Sequence, residues 1–490
     1  MTPARGGRRR LGAAVILAAA LFAFAFAPLL DPATRIAPRD FAQFHLPLYA
    51  SLARLAEQGL PEWNPDLWGG QPVLSNPNYA AFYPPTWLVL AFDPAYGFQL
   101  GFALHGLLAG AGAALLVARL GGRASARWLA AVAFGMGGWM LCLVHAGRSY
   151  FGMAWLPWLL LATRSLAAAE GRSSRLRAGL GLAAAVAMLA LAAEPATLLV
   201  GVGAVALALL VGDGARPAIL VRGAAAGALG LALGAVALVP AFARLAESAR
   251  GSGLAYAKAT LWSLPPARLI ELVLPRFFGD PTRLEEGLFF GWTISDKQFP
   301  YLLLITPGAL LLAFGTAALV GRRAIPWRRV WTAGALAGLF LALGRHNPLF
   351  GWLWQVLPGL SAIRYPEKFL LATIACLVFA GALAWGRLLD ERERGRAGEA
   401  DLPAALAACA LAVALALALA LTLEPRLARW FVTAMSPIDP DSPLAATAAR
   451  FGVDDAFDPR HPVLGITQGS TFSALDTREL AGGARGRPVA

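Results

Sequence analysis

Ionisable side chains lie beside long apolar runs of this sequence, where a charge is costly unless it has a partner or a function. A carboxylate in such a place can accept the proton of an attacking hydroxyl group, and guanidinium or ammonium groups can stabilise a departing anion. Segments that meet at one membrane depth would combine these groups into a site for general-base catalysis beside an anion. The candidate residues are Asp40, His145, Arg148, Glu194, Arg364 and Lys368.

Each candidate also has an ordinary structural explanation. Asp40 would cap a short helix at the membrane interface, and the basic residues would extend from the ends of spans towards water. His145 would be a satisfied histidine at a helix end, and His45, five residues after Asp40, would cover apolar surface. Glu194 needs either water or a basic partner, and one of the arginines is its most natural partner.

The elements that must position these residues are membrane spans. The chain has 490 residues, of which 58% are hydrophobic and 14% are charged, whereas soluble domains have about 45–50% and about 25%. A soluble globule is therefore excluded, and we predict an all-α polytopic membrane protein with about 11 transmembrane helices. The predicted spans are residues 11–30, 98–120, 128–145, 151–168, 178–193, 195–212, 218–240, 299–320, 330–343, 367–389 and 403–423.

The cations set the predicted orientation. The net charge of +13 is spread in small clusters between apolar runs, a pattern typical of topology control and not of nucleic-acid binding. With the N-terminus in the cytoplasm, half of the 42 lysines and arginines fall in the short cytoplasmic segments. We therefore predict a multi-pass protein of a bacterial inner (plasma) membrane, with an extracytoplasmic C-terminal tail.

The predicted domain organisation follows from these spans. Residues 1–423 form a transmembrane domain with long outer loops at 31–97, 241–298 and 344–366, and residues 424–490 form the tail. The amphipathic stretch from Phe41 to Leu55 predicts a helix that lies in the membrane interface, and the apolar segments 262–278 and 348–358 predict re-entrant or interfacial helices broken by proline. Three cysteines lie within apolar runs without paired spacing, which excludes a disulfide framework and a zinc knuckle.

The most specific pattern lies at residues 39–88. It resembles the first outer loop of YfhO-type bacterial membrane proteins, which belong to the GT-C superfamily of polytopic glycosyltransferases. The strings that begin at His145 and Ile363 fit the same resemblance, whereas Glu194-Pro195 reverses the order of a family motif and has no histidine beside it. The matching residues of the first loop are Asp40, Gln43, Pro47, Gly59, Pro61, Trp63, Asn64, Gly70, Pro72, Asn76, Tyr83, Pro84 and Pro85.

The resemblance implies inverting transfer of a hexosyl or pentosyl group on the extracytoplasmic face. The donor would be a polyprenyl-phosphate sugar, and the acceptor a glycan, lipid or protein of the cell envelope. Asp40 would be the general base, and Arg148, Arg364 and Lys368 would bind the donor phosphate. Residues with a substrate-binding or supporting role would be Glu194, His145, His45, Gln43, Asn76 and Tyr83.

Two questions stay open at the level of sequence. We predict no cofactor and no metal, but Asp40 and Glu194 together offer the oxygen ligands that a divalent cation prefers. A flippase or transporter for a lipid-linked saccharide is the alternative function, and a non-catalytic partner in envelope assembly is a third. Nucleic acid is not expected as a partner, whereas membrane lipid is.

Overall fold

The computed structural model describes residues 20–32, 44–67, 69–192, 194–212, 216–248, 251, 253–281, 289, 291–296, 299–321, 325–357 and 359–394. Asp40 and Gln43 lie outside these residues. The start of the first predicted span, the span at 403–423 and the tail at 424–490 also lie outside them and stay predictions.

In the first half of the described chain, capping residues and prolines mark where helices begin. Asp93 caps the helix that starts at Pro94, and its side chain accepts a hydrogen bond from the Tyr96 backbone N–H at 3.1 Å. Proline is well tolerated there because the first helical position needs no hydrogen-bond donor. The helices are α1 (Ala20–Leu30), α2 (Leu46–Ala56), α3 (Trp87–Ala91), α4 (Pro94–Arg119), α5 (Ala124–Gly135), α6 (Gly138–Leu141), α7 (Arg148–Ala167) and α8 (Arg172–Ala192).

The second half continues as helices joined by longer connecting segments. Short 3-10 turns cover Pro266–Leu272 and Pro366–Phe369 in these segments. In the first half, a small antiparallel hairpin between α2 and α3 pairs β1 (Trp63–Asn64) with β2 (Gln71–Pro72). The later helices are α9 (Pro195–Val211), α10 (Pro217–Leu233), α11 (Ala235–Glu247), α12 (Tyr256–Ala259), α13 (Ala309–Val320), α14 (Arg328–Ala342), α15 (Phe350–Val356) and α16 (Leu370–Glu393).

The helices support a polytopic membrane protein. Within the described residues, four helical segments are long and apolar enough to cross a membrane, and the bent pair of α10 and α11 would make a fifth. Shorter apolar helices are α1, α9 and α13. The count of eleven spans stays a prediction. The four long segments are Pro94–Arg119, Ala124–Ala146, Arg172–Ala192 and Pro366–Glu393.

Three of the predicted elements differ from the structure. The span predicted at 299–320 is helical only as α13, because prolines and Gly308, whose φ is +92°, hold the preceding residues extended. The span predicted at 218–240 is two helices bent by 74° at Gly234. The re-entrant or interfacial helix predicted at 262–278 is wrong: the helical part of this segment is the 3-10 turn Pro266–Leu272, in which Arg268 and Glu271 are buried.

The first turn of α7, which begins at Arg148, packs on α4. The rings of Phe102 and Phe151 join the two helices with centroids 5.3 Å apart. Helix α4 in turn packs closely on α5, since a Cβ atom on Gly135 would lie only 2.7 Å from the carbonyl oxygen of Gly106. Small residues allow such close approach of helices in membrane proteins. This packing fixes the position of the Arg148 backbone.

Candidate active site

Glu194 is the centre of the candidate site, and the start of α9 fixes its side chain. It is the N-cap residue, with extended backbone, and its carboxylate accepts hydrogen bonds from the N–H groups of Ala196 at 3.1 Å and Thr197 at 3.3 Å. Pro195 follows at the first helical position, where a missing N–H group costs nothing. A carboxylate at a helix N-terminus is further stabilised by the helix dipole.

Two other segments bind the same carboxylate. The Ser149 hydroxyl group on α7 donates to Glu194 Oε1 at 3.2 Å, and the Lys368 ammonium group donates to Oε2 at 3.2 Å. The side chains of Lys368 and Glu194 are 11% and 16% exposed, so the ion pair is mostly removed from water. Three distant parts of the sequence therefore meet here. The prediction of an arginine partner for Glu194 is wrong, because the basic partner among the described residues is Lys368.

Arg148 directly precedes Ser149 in the sequence, but its own side chain binds elsewhere. It is 3% exposed, and its Nη2 donates to the carbonyl of Leu191 at 3.1 Å, at the C-terminal end of α8. Its Nη1 is buried and has no hydrogen-bond partner among the described residues. A buried cationic donor of this kind favours an anion nearby.

His45 is buried close to Arg148. Its ring stacks on Phe98 with centroids 5.9 Å apart, and a Cβ atom on Gly147 would lie 3.2 Å from its Nε2. Burial, together with the positive charge of Arg148, lowers the pKa of His45 to about 3. The imidazole is therefore neutral near pH 7, which suits a hydrogen-bonding role better than proton uptake.

Two tyrosine rings surround the ammonium group of Lys368. Its Nζ lies 4.9 Å from the ring centroid of Tyr301 and 5.3 Å from that of Tyr365. The guanidinium carbon of Arg364 lies 4.8 Å from the same Tyr365 centroid. Cations are attracted to the faces of aromatic rings at such distances. Arg364, Lys368 and both tyrosines thus form one group of side chains next to Glu194.

Backbone strain accompanies this aromatic group. Tyr365 has φ +69° and Trp262 has φ +51°, and their rings are in edge contact with centroids 4.5 Å apart. Bulky residues rarely adopt this left-handed conformation, which persists only when surrounding contacts fix it. The Trp262 N–H group donates to Asp296 at 2.6 Å, and the Tyr365 N–H group donates to the Ala259 carbonyl at 3.2 Å.

His145 lies at the edge of this group. It is 1% exposed, its Nδ1 is bonded to the carbonyl of Cys142, and its ring contacts Tyr301 with centroids 5.6 Å apart. The structure therefore places His145 one side chain away from Lys368, through the Tyr301 ring.

Asn76 and Tyr83 have their described hydrogen bonds away from Glu194 and Lys368. Asn76 caps the turn Pro77–Tyr79 and accepts from Asn78 N at 3.1 Å. The Tyr83 hydroxyl group is bonded to His105 on α4 and accepts from Trp155 Nε1 on α7 at 2.8 Å. Burial raises the pKa of Tyr83. Tyr83 thus holds its loop against α4 and α7, whereas the described hydrogen bonds of Asn76 stay within the loop.

A buried ion cluster that the sequence did not predict lies next to Lys368. Arg268 Nε donates to Glu271 at 2.7 Å, and Arg268 Nη1 donates to Glu367. The apolar composition of 262–278 predicts a re-entrant or interfacial helix, in which these charges have no expected role. The available signal was Glu367, which lies inside the string that begins at Ile363, directly before Lys368.

Both oxygens of Glu194 are already hydrogen-bonded to protein donors. Among the residues that the structure describes, no group of three His, Cys, Asp or Glu side chains is arranged to hold a metal ion. Since Asp40 lies outside the described residues, the shared cation site with Glu194 stays an untested alternative.

No protein-family model matches this chain, and no curated protein matches its sequence. Solved structures do match. The cryo-EM structure of the arabinofuranosyltransferase AftD from mycobacteria aligns with a TM-score of 0.50 and 20% identity, over 82% of this chain and 26% of that chain. The fold of this chain is therefore similar to that of AftD. The narrower YfhO-type resemblance stays a prediction.

Two further solved structures align with this chain at lower TM-scores. A mutant form of AftD aligns with a TM-score of 0.48 and 20% identity, over 82% of this chain and 27% of that chain. The crystal structure of ArnT from Cupriavidus metallidurans aligns with a TM-score of 0.34 and 14% identity, over 79% of each chain. The chain spans about a quarter of the length of AftD.

Proposed function

We propose that this protein is a GT-C type membrane glycosyltransferase. It would move a hexosyl or pentosyl group from a polyprenyl-phosphate donor to a glycan, lipid or protein acceptor of the cell envelope, with inversion at the anomeric carbon. The observation that carries the proposal is the convergence of Glu194, Lys368 and the first turn of α7, which starts at Arg148, on one buried polar site. The likeness of the fold to that of AftD, an arabinofuranosyltransferase, supports it.

The proposed reaction is a single displacement. The acceptor hydroxyl group loses its proton to the Asp40 carboxylate as its oxygen forms a bond to the anomeric carbon. The bond between that carbon and the phosphate oxygen breaks, and the phosphate leaves with the electron pair. One displacement inverts the configuration, and the negative charge on the phosphate is what the cations must stabilise.

The cations of the site differ in what they can offer a phosphate. Arg148 Nη1 is buried without a hydrogen-bond partner in the described part, so it can donate to a new oxygen directly. Lys368 is bonded to Glu194 at 3.2 Å and would share its ammonium group between the two anions. Arg364 is half-buried and lies against Tyr365, from which a long side chain can turn towards a ligand.

The position of these residues along their helices supports an enzyme more than a carrier. Arg148 begins α7, Glu194 caps α9, and Lys368 lies in the turn before α16. A carrier is expected to bind its cargo near the middle of the membrane, at interrupted helices. The sites of this protein lie at helix ends, which suits chemistry at one membrane surface.

The orientation inferred from the sequence supports the extracytoplasmic face as that surface. The N-terminal ends of α7, α9 and α16 all follow predicted outer segments. At the other end of the molecule, Arg123 pairs with Asp390 at 3.1 Å and with Glu393 at 2.6 Å, in predicted cytoplasmic segments. The proposal therefore places the enzyme in a bacterial inner membrane with its site facing outwards.

The test is transfer of radiolabelled sugar from polyprenyl phosphate by the purified protein, with a crude envelope fraction as acceptor source. We expect transfer by the natural protein and its loss in Asp40→Asn and Arg364→Ala, whereas Arg123→Gln at the other end should keep it. Full activity of Asp40→Asn would reject the proposed base. Passage of a fluorescent lipid-linked saccharide across vesicles, without any transfer, would support a flippase instead.

A further inference from the structure

A buried ion cluster adjoins the candidate site and has no role in the reaction proposed above. We call it the clasp, and its members are Arg268, Glu271 and Glu367, which are 2%, 5% and 1% exposed. Arg268 donates from Nε to Glu271 at 2.7 Å, from Nη1 to Glu367, and from Nη2 to the carbonyl of Leu302 at 2.9 Å. All three guanidinium nitrogens are thus hydrogen-bonded away from water.

Stability alone does not account for such a cluster. Buried ion pairs lose most of their attraction to the desolvation of their charges, and well-packed apolar residues often stabilise a protein as much. The two carboxylates of the clasp also differ in their contacts. Glu367 accepts from the backbone N–H groups of Tyr301 at 3.0 Å and Leu302 at 3.4 Å, whereas the described contacts of Glu271 are to Arg268 alone.

Glu367 connects the clasp to the site because it precedes Lys368 in the turn Pro366–Phe369. Glu367 binds the Arg268 side chain and the Tyr301 backbone, and Lys368 binds Glu194 at the start of α9. The backbone of the turn is held as well, since the Glu367 N–H group donates to the Trp262 carbonyl at 3.0 Å. These bonds hold the turn next to the strained residue Tyr365.

We propose that Glu367, held by Arg268, is a positioning residue of the site. Glu367 binds the Tyr301 backbone and so places the Tyr301 ring against Lys368. Glu367 also fixes the turn Pro366–Phe369, which places the Tyr365 ring against Lys368. The ammonium group is then aimed at Glu194 and at an arriving donor phosphate. The role of the phosphate rests on the proposed function, whereas the placement of Lys368 does not.

The composition of the chain provides a direct readout of this placement. The sequence has three lysines, Lys258, Lys297 and Lys368, so protein labelled with 13C at lysine Cε gives three signals in detergent micelles. Arginine substitutions of the other two lysines assign the third signal. Because Lys368 lies against two tyrosine rings, we expect its Cε protons upfield of the other two.

Three variants test the role of Glu367. Glu367→Leu should move the Lys368 signal towards the ordinary lysine position, and Glu367→Gln, which keeps an acceptor for the Tyr301 N–H group, should largely restore it. Glu271→Leu is the matched control, with the same substitution in the same cluster and no contact to Tyr301, and should leave the signal in place. An unmoved signal in folded Glu367→Leu protein would overturn the proposal.

A milder variant covers the case in which Glu367→Leu does not fold. Arg268→Lys keeps the charge but cannot reach Glu271, Glu367 and the Leu302 carbonyl together. We expect a partial movement of the Lys368 signal in this variant, and an unchanged signal would overturn the proposal equally.

Kinetics separate the failure of this inference from the failure of the proposed function. We expect Glu367→Leu to raise the KM for the donor about tenfold or more, the size expected for one misplaced charged hydrogen bond. A moved signal in a protein without transferase activity would uphold the placement and reject the function. Sugar transfer by the natural protein, with an unchanged Lys368 signal and an unchanged donor KM in Glu367→Leu, would uphold the function and reject the placement.

Discussion

Glu194 and Lys368 should be energetically coupled, because Glu194 Oε2 and Lys368 Nζ lie 3.2 Å apart and both side chains are mostly buried. We consider the variants Glu194→Gln and Lys368→Met, alone and together. Loss of one partner from a fully buried pair costs about 3–5 kcal/mol. Here Glu194 keeps Ser149 and two backbone N–H groups when the lysine is gone, so we expect about 2–3 kcal/mol for each single variant.

The double variant should lose little more than either single variant, because the second substitution removes a group that has already lost its partner. The resulting coupling energy is about 2 kcal/mol, within the usual range for residues in contact. The assay is reversible unfolding in mixed micelles as the denaturing detergent is titrated, with the free energy of unfolding compared across the four proteins.

A control cycle uses Arg123 and Glu393, whose side chains are 27% and 66% exposed. Exposed pairs contribute little because water and salt screen them, so we expect no measurable coupling there. Additive effects in the Glu194 and Lys368 cycle, to within about 0.5 kcal/mol, would refute the reasoning. The carboxylate and the ammonium group would then not form the buried pair on which the site depends.

Three further predictions concern the surroundings of the site. The pKa of His45 is about 3 in the folded protein and about 6.5 in the unfolded chain. As the pH falls, the unfolded state therefore binds the proton first, and the free energy of unfolding should fall by about 1.4 kcal/mol per pH unit between about pH 6.5 and about pH 3. His45→Phe should lack this slope. Tyr83→Phe should cost about 1–3 kcal/mol of stability in the same assay, without a change in donor KM. Gly135→Ala should cost about 1–3 kcal/mol of unfolding free energy by forcing α4 and α5 apart, whereas Gly203→Ala, which meets nothing within 4 Å, should be neutral or stabilising.

The parts of the fold that the sequence predicts well are those with local signals. The span predicted at 98–120 is α4, and Asp93-Pro94 marks its start. Glu194-Pro195 marks the start of α9 in the same way, so the position of that carboxylate at a helix end follows from two neighbouring residues. Apolar length and capping are properties of short windows, which a single sequence contains.

The parts that the sequence did not predict depend on contacts between distant segments. Lys368 is 174 residues from Glu194, and Glu367 is 99 residues from Arg268. Local patterns carry no information on such pairs, so the expected partner of Glu194 was an arginine and Arg268 had no expected role. The strained backbone at Tyr365 is similarly set by its surroundings and not by its own sequence.

In the proposed enzyme, Arg148 and Lys368 serve one site that binds a donor phosphate. The most direct measurement is the initial rate of sugar transfer from radiolabelled polyprenyl-phosphate donor, over a range of donor concentrations, for Arg148→Gln, Lys368→Met and the control Arg123→Gln. We predict a rise in donor KM or a loss of kcat in the first two variants and natural kinetics in the control. Natural kinetics in all three proteins would contradict the account.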